Sequence, residues 1–121
     1  MTKKAQQRRA RLIHNGKPVH VRCYDQGVNK CADHYTVCFV GRYPKDGREF
    51  KYLAMSEHPF HPQGFGQHGW TTGASADALN GRWAPRIGRR CHLGVRIPFD
   101  DLPTDCKALV LREYKALWRI E

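Results

Sequence analysis

Long apolar runs are missing from this sequence: none approaches the roughly 20 consecutive apolar residues that a membrane-spanning helix requires, so no membrane partner is expected. The basic N-terminus is not followed by the apolar core of a signal peptide, which points to a cytoplasmic setting. Cysteines are few and irregularly spaced. Cys23, Cys31, Cys38, Cys91 and Cys106 are an odd set without a Cys-x2-Cys pair, which argues against a disulfide framework and removes the usual signature of structural zinc. They suit small core residues in a reduced compartment, and neither a metal nor a cofactor is expected. Acid is scarce as well, none occurring before Asp25.

What is present in excess is positive charge. Against 11 Asp and Glu stand 21 Lys and Arg, a formal net charge of +10 over 121 residues. The excess is segregated into two blocks. Lys3, Lys4, Arg8, Arg9, Arg11, Lys17 and Arg22 precede the first acid, and Arg82, Arg86, Arg89, Arg90 and Arg96 lie between Asp77 and Asp100. Arginine forks pair with phosphate oxygens, and the interleaved Trp83 and His92 offer aromatic faces for bases, so a polyanionic partner is favoured over a merely solvated basic surface.

The length allows one domain with a single modest core. Residues 1–12 carry too few large apolar groups to pack and read as a basic flexible arm or frayed helix, leaving 13–121 as the folded unit. Alternation over 18–24 and the β-branched and aromatic run over 34–40 predict strands, the second of them central. Pro44, Asp46 and Gly47 mark a turn, and residues 50–55 return as the hairpin partner. A short helical turn over 74–79, an arginine-rich loop and an extended piece at 95–97 come next. Cys106, Leu109, Val110, Tyr114, Leu117 and Trp118 recur at helical spacing and predict an amphipathic C-terminal helix, with Pro103 in its first turn. The fold class is therefore α+β: a mainly antiparallel sheet of three to four strands packed on that helix.

Residues 56–70 are the most informative stretch. Pro59 and Pro62 restrict the backbone while Gly64, Gly66 and Gly69 release it, which shapes a loop, and three histidines, two glutamines, Ser56 and Glu57 are packed into it. Ser56, His61, Gln63, Gly64, Phe65, Gly66, Gln67 and His68 are the candidate ligand-binding residues. Amides around Gly64, Phe65, Gly66 and Gln67 would form an anion-holding concavity, the glutamines would read base edges, and Phe60, Phe65 or Trp70 would stack. A zinc site of His58, His61 and His68 is disfavoured by the spacing and by Pro59, so metal is not assigned.

The run Asp33 to Val37, the segment from Met55 to Gly69, and Leu102-Pro103 leading into Leu109-Val110-Leu111 and the Tyr114 to Trp118 end together resemble a family of small uncharacterised proteins of tailed phages and prophages. The resemblance implies a phage-associated setting, in the cytoplasm of a host cell, in which small proteins without catalytic machinery act on host nucleic-acid or nucleotide-signal systems. This chain departs from the family in its Asp33-His34 pair, its 71–92 insert and its basic arm, which implies that a nucleic-acid-binding surface has been added to a shared scaffold. The expected function is binding of RNA, DNA or a nucleotide-like phosphate ligand, in counter-defence or host takeover. The loop would act with Arg82, Arg86, Arg89 and Arg90, assisted by Lys3, Lys4, Arg8, Arg9 and Arg11. No catalytic residue is assigned. The alternative is a histidine-dependent hydrolase or nuclease using His61 and His68. The third reading is an inhibitor that docks on a host nucleic-acid effector or nucleoprotein complex, against which like charge argues.

Overall fold

The computed structural model describes residues 2–28, 33–41, 50–64, 66–71 and 85–120. Within them the chain is α+β, with a six-stranded antiparallel sheet, a separate two-stranded hairpin, an N-terminal helix and a C-terminal helix. Helix α1 (Lys3–Leu12) runs into a hairpin of β1 (Ile13–His14) and β2 (Lys17–Pro18). Asn15 and Gly16 close it at φ 52° and 75°, the type I′ pattern whose twist matches antiparallel strands. The basic arm expected over 1–12 thus contains a helix whose last residue, Leu12, is buried in the core.

The main sheet is built from β3 (Val21–Asp25), β4 (Tyr35–Phe39), β5 (Phe50–Met55), β6 (Gly66–Thr71), β7 (Arg90–Cys91) and β8 (Gly94–Ile97), in the spatial order β6-β5-β4-β3-β8-β7. β4 is central, as its composition predicts, and Thr36 to Phe39 are buried on both faces. Period-2 alternation divides the side chains. Cys23, Val37, Phe39, Leu53 and Met55 face one core, while Tyr24 and Cys38 pack with Tyr52, Cys91 and Leu93 on the other side. The sheet is wider than three to four strands because β6 and the short β7 extend its edges. The helical turn expected over 74–79 and the turn over 44–48 lie outside the described residues.

A 3₁₀ turn (Phe99–Asp101) leads to α2 (Thr104–Trp118), with Pro103 at the N-cap. The helix buries Cys106, Leu109, Val110, Tyr114 and Trp118 against the first core, the face its three- and four-residue spacing specifies. It ends at Arg119 in the left-handed conformation, φ 55°, where Ile120 N–H bonds Lys115 O. The start of α2 sits by Ser56, through the Cys106 thiol, and its end sits by His20 and Gly41, so the helix links two opposite ends of the sheet about 22 Å apart. None of the described helices is long and apolar enough to cross a membrane.

Candidate functional site

The expected loop is shorter than its glycine and proline content implies. It leaves β5 at Met55, folds over residues 56–64, and returns as β6, which pairs with β5 from Met55↔Gly66 to Phe50↔Thr71. Two tight turns hold the irregular part: His61 N–H donates to His58 O at 3.1 Å, and Gly64 N–H to His61 O at 2.8 Å. Cys106 Sγ–H donates to Ser56 O at 3.2 Å, tying the loop's start to α2. Gly64 is required by contact, since a β-carbon there would lie 1.7 Å from His58 O. Phe60 stands exposed beneath the Arg112 guanidinium, 5.4 Å from the ring centre.

An open cleft of about 310 Å³ lies between this loop and the end of β3–β4, lined by Val28, His34, Ser56, Glu57, His58, His61, Gln63 and Gly64. Three imidazoles share it. His34, only 8% exposed, sets Nε2 3.1 Å from Asp25 Oδ1, and the same oxygen accepts Gly27 N–H at 2.8 Å. With Nε2–H turned to the carboxylate, the lone pair of neutral His34 is on Nδ1. His61 is fixed the other way, because Gln63 N–H donates to its Nδ1 at 3.1 Å and leaves the proton on Nε2. The two walls of the cleft therefore carry opposite tautomers, His34 with its free nitrogen at Nδ1 and His61 with its proton on Nε2. Sequence reasoning missed His34 and Asp25, which are nine positions apart and meet only because Asp25 pairs with Tyr35 across the β3–β4 ladder.

Among the described residues no three His, Cys, Asp or Glu side chains are grouped as metal ligands. Three buried thiols are also held neutral. Burial pushes Cys23 up to about 12; burial, then Asp105 and Glu57, push Cys106 to about 12; and burial raises Cys38 further still.

Several predicted site residues fall elsewhere. Ser56, His61, Gln63 and Gly64 line the cleft. Gly66, Gln67 and His68 are strand residues, opposite Met55, Ala54 and Leu53, and Phe65 lies outside the described residues. Of the amides expected to form an anion-holding concavity, Gly64 N–H is taken by His61 O, and Gly66 and Gln67 lie in the β5–β6 ladder. The cations do not reach the cleft either: its described lining includes the Glu57 carboxylate and no Lys or Arg. Arg86, Arg89 and Arg90 are exposed at the β7 edge, four strand spacings or roughly 19 Å from β5. Lys3, Lys4, Arg8 and Arg11 are exposed on α1, at the far end of α2, with Arg9 half-buried among them. Arg82 and Trp83 lie outside the described residues. Among the described residues, the loop, the arginines and the arm expected to form one pocket thus lie on three separate surfaces.

A second concavity, of about 420 Å³, opens where α1 meets the end of α2, between Arg8, Arg11, Leu12, His20, Gly41 and Trp118. Arg8 donates to the Trp118 carbonyl, at the negative end of the α2 dipole. No protein-family model matches this chain, and neither does any curated protein or solved structure.

Proposed function

We propose that this protein binds nucleic acid through its exposed cationic surfaces, α1 and the β7 edge. The observation that carries the reading is α1 itself: Lys3, Lys4, Arg8 and Arg11 are exposed on a helix of ten residues that contains no acid, in a chain of net charge +10. Such a helix repels itself and most protein surfaces of like sign, and is stabilised when phosphates replace the counterions around it. The likeness of residues 55–69 to the phage family supports placing this binding in counter-defence or in takeover of host nucleic-acid processes.

The test is salt. Binding to a fluorescent single-stranded RNA and to a DNA duplex should weaken with a log–log slope of about −3 or steeper, since five engaged phosphates give roughly −3.5 on a single strand. Charge reversal of Lys3 and Lys4, or of Arg86, Arg89 and Arg90, should flatten that slope by about 1 to 2. A slope near zero for the wild-type chain removes the reading.

One observation favours a second activity, hydrolysis: the Asp25–His34 pair, which leaves the free nitrogen of His34 at Nδ1, in a cleft also lined by His61 with its proton on Nε2. Here the wild-type chain should shorten end-labelled RNA, and His34→Gln should slow that cleavage by about 100-fold or more. RNA left intact by the wild-type chain ends this second reading and leaves the first untouched.

A further inference from the structure

We infer that the concavity between α1 and the C-terminal end of α2 is a nucleotide subsite, taking a nucleobase against Trp118 and His20 and its phosphate on Arg8 and Arg11. The inference rests on the nucleic-acid reading and adds to it a place and a ligand chemistry.

Three features of the concavity point the same way. Its floor is apolar and aromatic: Trp118, 9% exposed, and the half-buried His20 have ring centres 5.4 Å apart and planes inclined by 34°, beside buried Leu12. Because the two planes are inclined, a base π-face stacks on one such ring rather than across both. Its rim is cationic: the described lining has two guanidinium groups and no carboxylate, the reverse of the histidine cleft. Arg8 already engages the Trp118 carbonyl with one nitrogen, which fixes the fork while other donors of the five remain for phosphate. The opening is maintained by Gly41, at φ 97°, where a β-carbon would stand 3.1 Å from Trp118 Cζ2 and 3.3 Å from His20 Cγ. A side chain at that position would meet the surface the base is to occupy.

The combination selects the ligand. An acidic peptide needs the guanidinium groups and has no use for the aromatic floor, and a hydrocarbon chain needs the floor and is opposed by a charged rim. A nucleotide uses both. Because α1 presents Lys3 and Lys4 further along the same helix, a strand whose base enters here has cations waiting for its neighbouring phosphates.

The probe is adenosine 5′-monophosphate, with adenosine and inorganic phosphate as separate arms. The readout is the Trp118 indole N–H resonance of the intact chain, identified by its loss in Trp118→Phe. Adenosine 5′-monophosphate should shift that resonance saturably at about 1 mM or below, with adenosine and phosphate each weaker by roughly tenfold. Arg11→Glu, at an exposed position, should weaken the nucleotide by roughly tenfold and leave the dispersion of the spectrum unchanged. An unmoved Trp118 resonance, or unchanged affinity in Arg11→Glu, overturns the subsite. The two readings separate: salt-dependent RNA binding with a silent Trp118 discards only the subsite, whereas a saturable Trp118 shift with no RNA binding discards the nucleic-acid reading and keeps a nucleotide site.

Discussion

A Gly64→Ala substitution should remodel the loop that walls the histidine cleft, at a cost of about 2–4 kcal/mol. The new β-carbon would sit 1.7 Å from His58 O and 3.2 Å from His61 O, both backbone atoms, so no side-chain rotation relieves it. Relief requires opening the two turns in which His58 O and His61 O are the acceptors, and Pro59 and Pro62 restrict the paths by which the chain can do so. Each lost hydrogen bond costs about 1 kcal/mol and the strained backbone that replaces them about 1–3 kcal/mol. Gly66→Ala is the milder comparison, since its nearest obstacles, Leu109 Cδ2 at 2.8 Å and Pro59 Cβ at 3.1 Å, are side-chain atoms rather than backbone. Hydrogen exchange at the His61 and Gly64 amides, together with the thermal midpoint, reads the difference. Equal midpoints and unchanged exchange in Gly64→Ala would show that the turns are not what fixes the cleft.

The parts of the fold that are legible in the sequence are those in which one local signal dominates. α2 shows its buried face in the spacing of Cys106, Leu109, Val110, Tyr114 and Trp118, and β4 its central place in a run of β-branched and aromatic residues. β6 is not legible for the converse reason. Gly66, Gln67, His68 and Gly69 have poor strand propensity, and the glycines that read as a loop are accommodated because a full six-pair register with β5 supplies the backbone hydrogen bonds. The Asn15-Gly16 hairpin is signalled by a favoured turn pair, but strands of two residues each are too short to show alternation.

The site is legible in composition but not in arrangement. Two of the loop's histidines, His58 and His61, do line a cleft, yet the imidazole with the most defined geometry, His34, comes from outside the loop and is positioned by Asp25. Charge can be counted from the sequence, but its distribution is set by strand order. Only when β8 and β7 are added beyond β3 does it emerge that Arg86, Arg89 and Arg90 lie across the sheet from the loop. The aromatic concavity under α1 is invisible in the sequence for a related reason: Trp118 and Leu12 read as core, and each is nonetheless also a wall of a surface feature.

That concavity depends on one buried phenol, and Tyr114→Ala should be the most destabilising of the substitutions considered, by about 4 kcal/mol or more. Tyr114 is fully buried, its ring packs near Phe39 and Trp118, and its hydroxyl joins three parts of the chain. The O–H donates to Leu12 O at 2.6 Å, where α1 ends, and the oxygen accepts His20 N–H at 3.3 Å, just before β3. Loss of the ring leaves a cavity worth roughly 3–5 kcal/mol, a large part of the 5–15 kcal/mol by which domains are usually stable. Tyr114→Phe separates packing from hydrogen bonding. Leu12 O still accepts Val19 N–H at 3.0 Å, so the loss falls mainly on the orphaned His20 N–H, about 1–3 kcal/mol. In that variant exchange should rise first at His20 and Val19, and RNA affinity should fall while the Asp25–His34 end of the sheet keeps its protection. Uniform loss of protection across the sheet in Tyr114→Phe would show instead that the phenol supports the whole core, and that α1 and its groove have no separate hold on it.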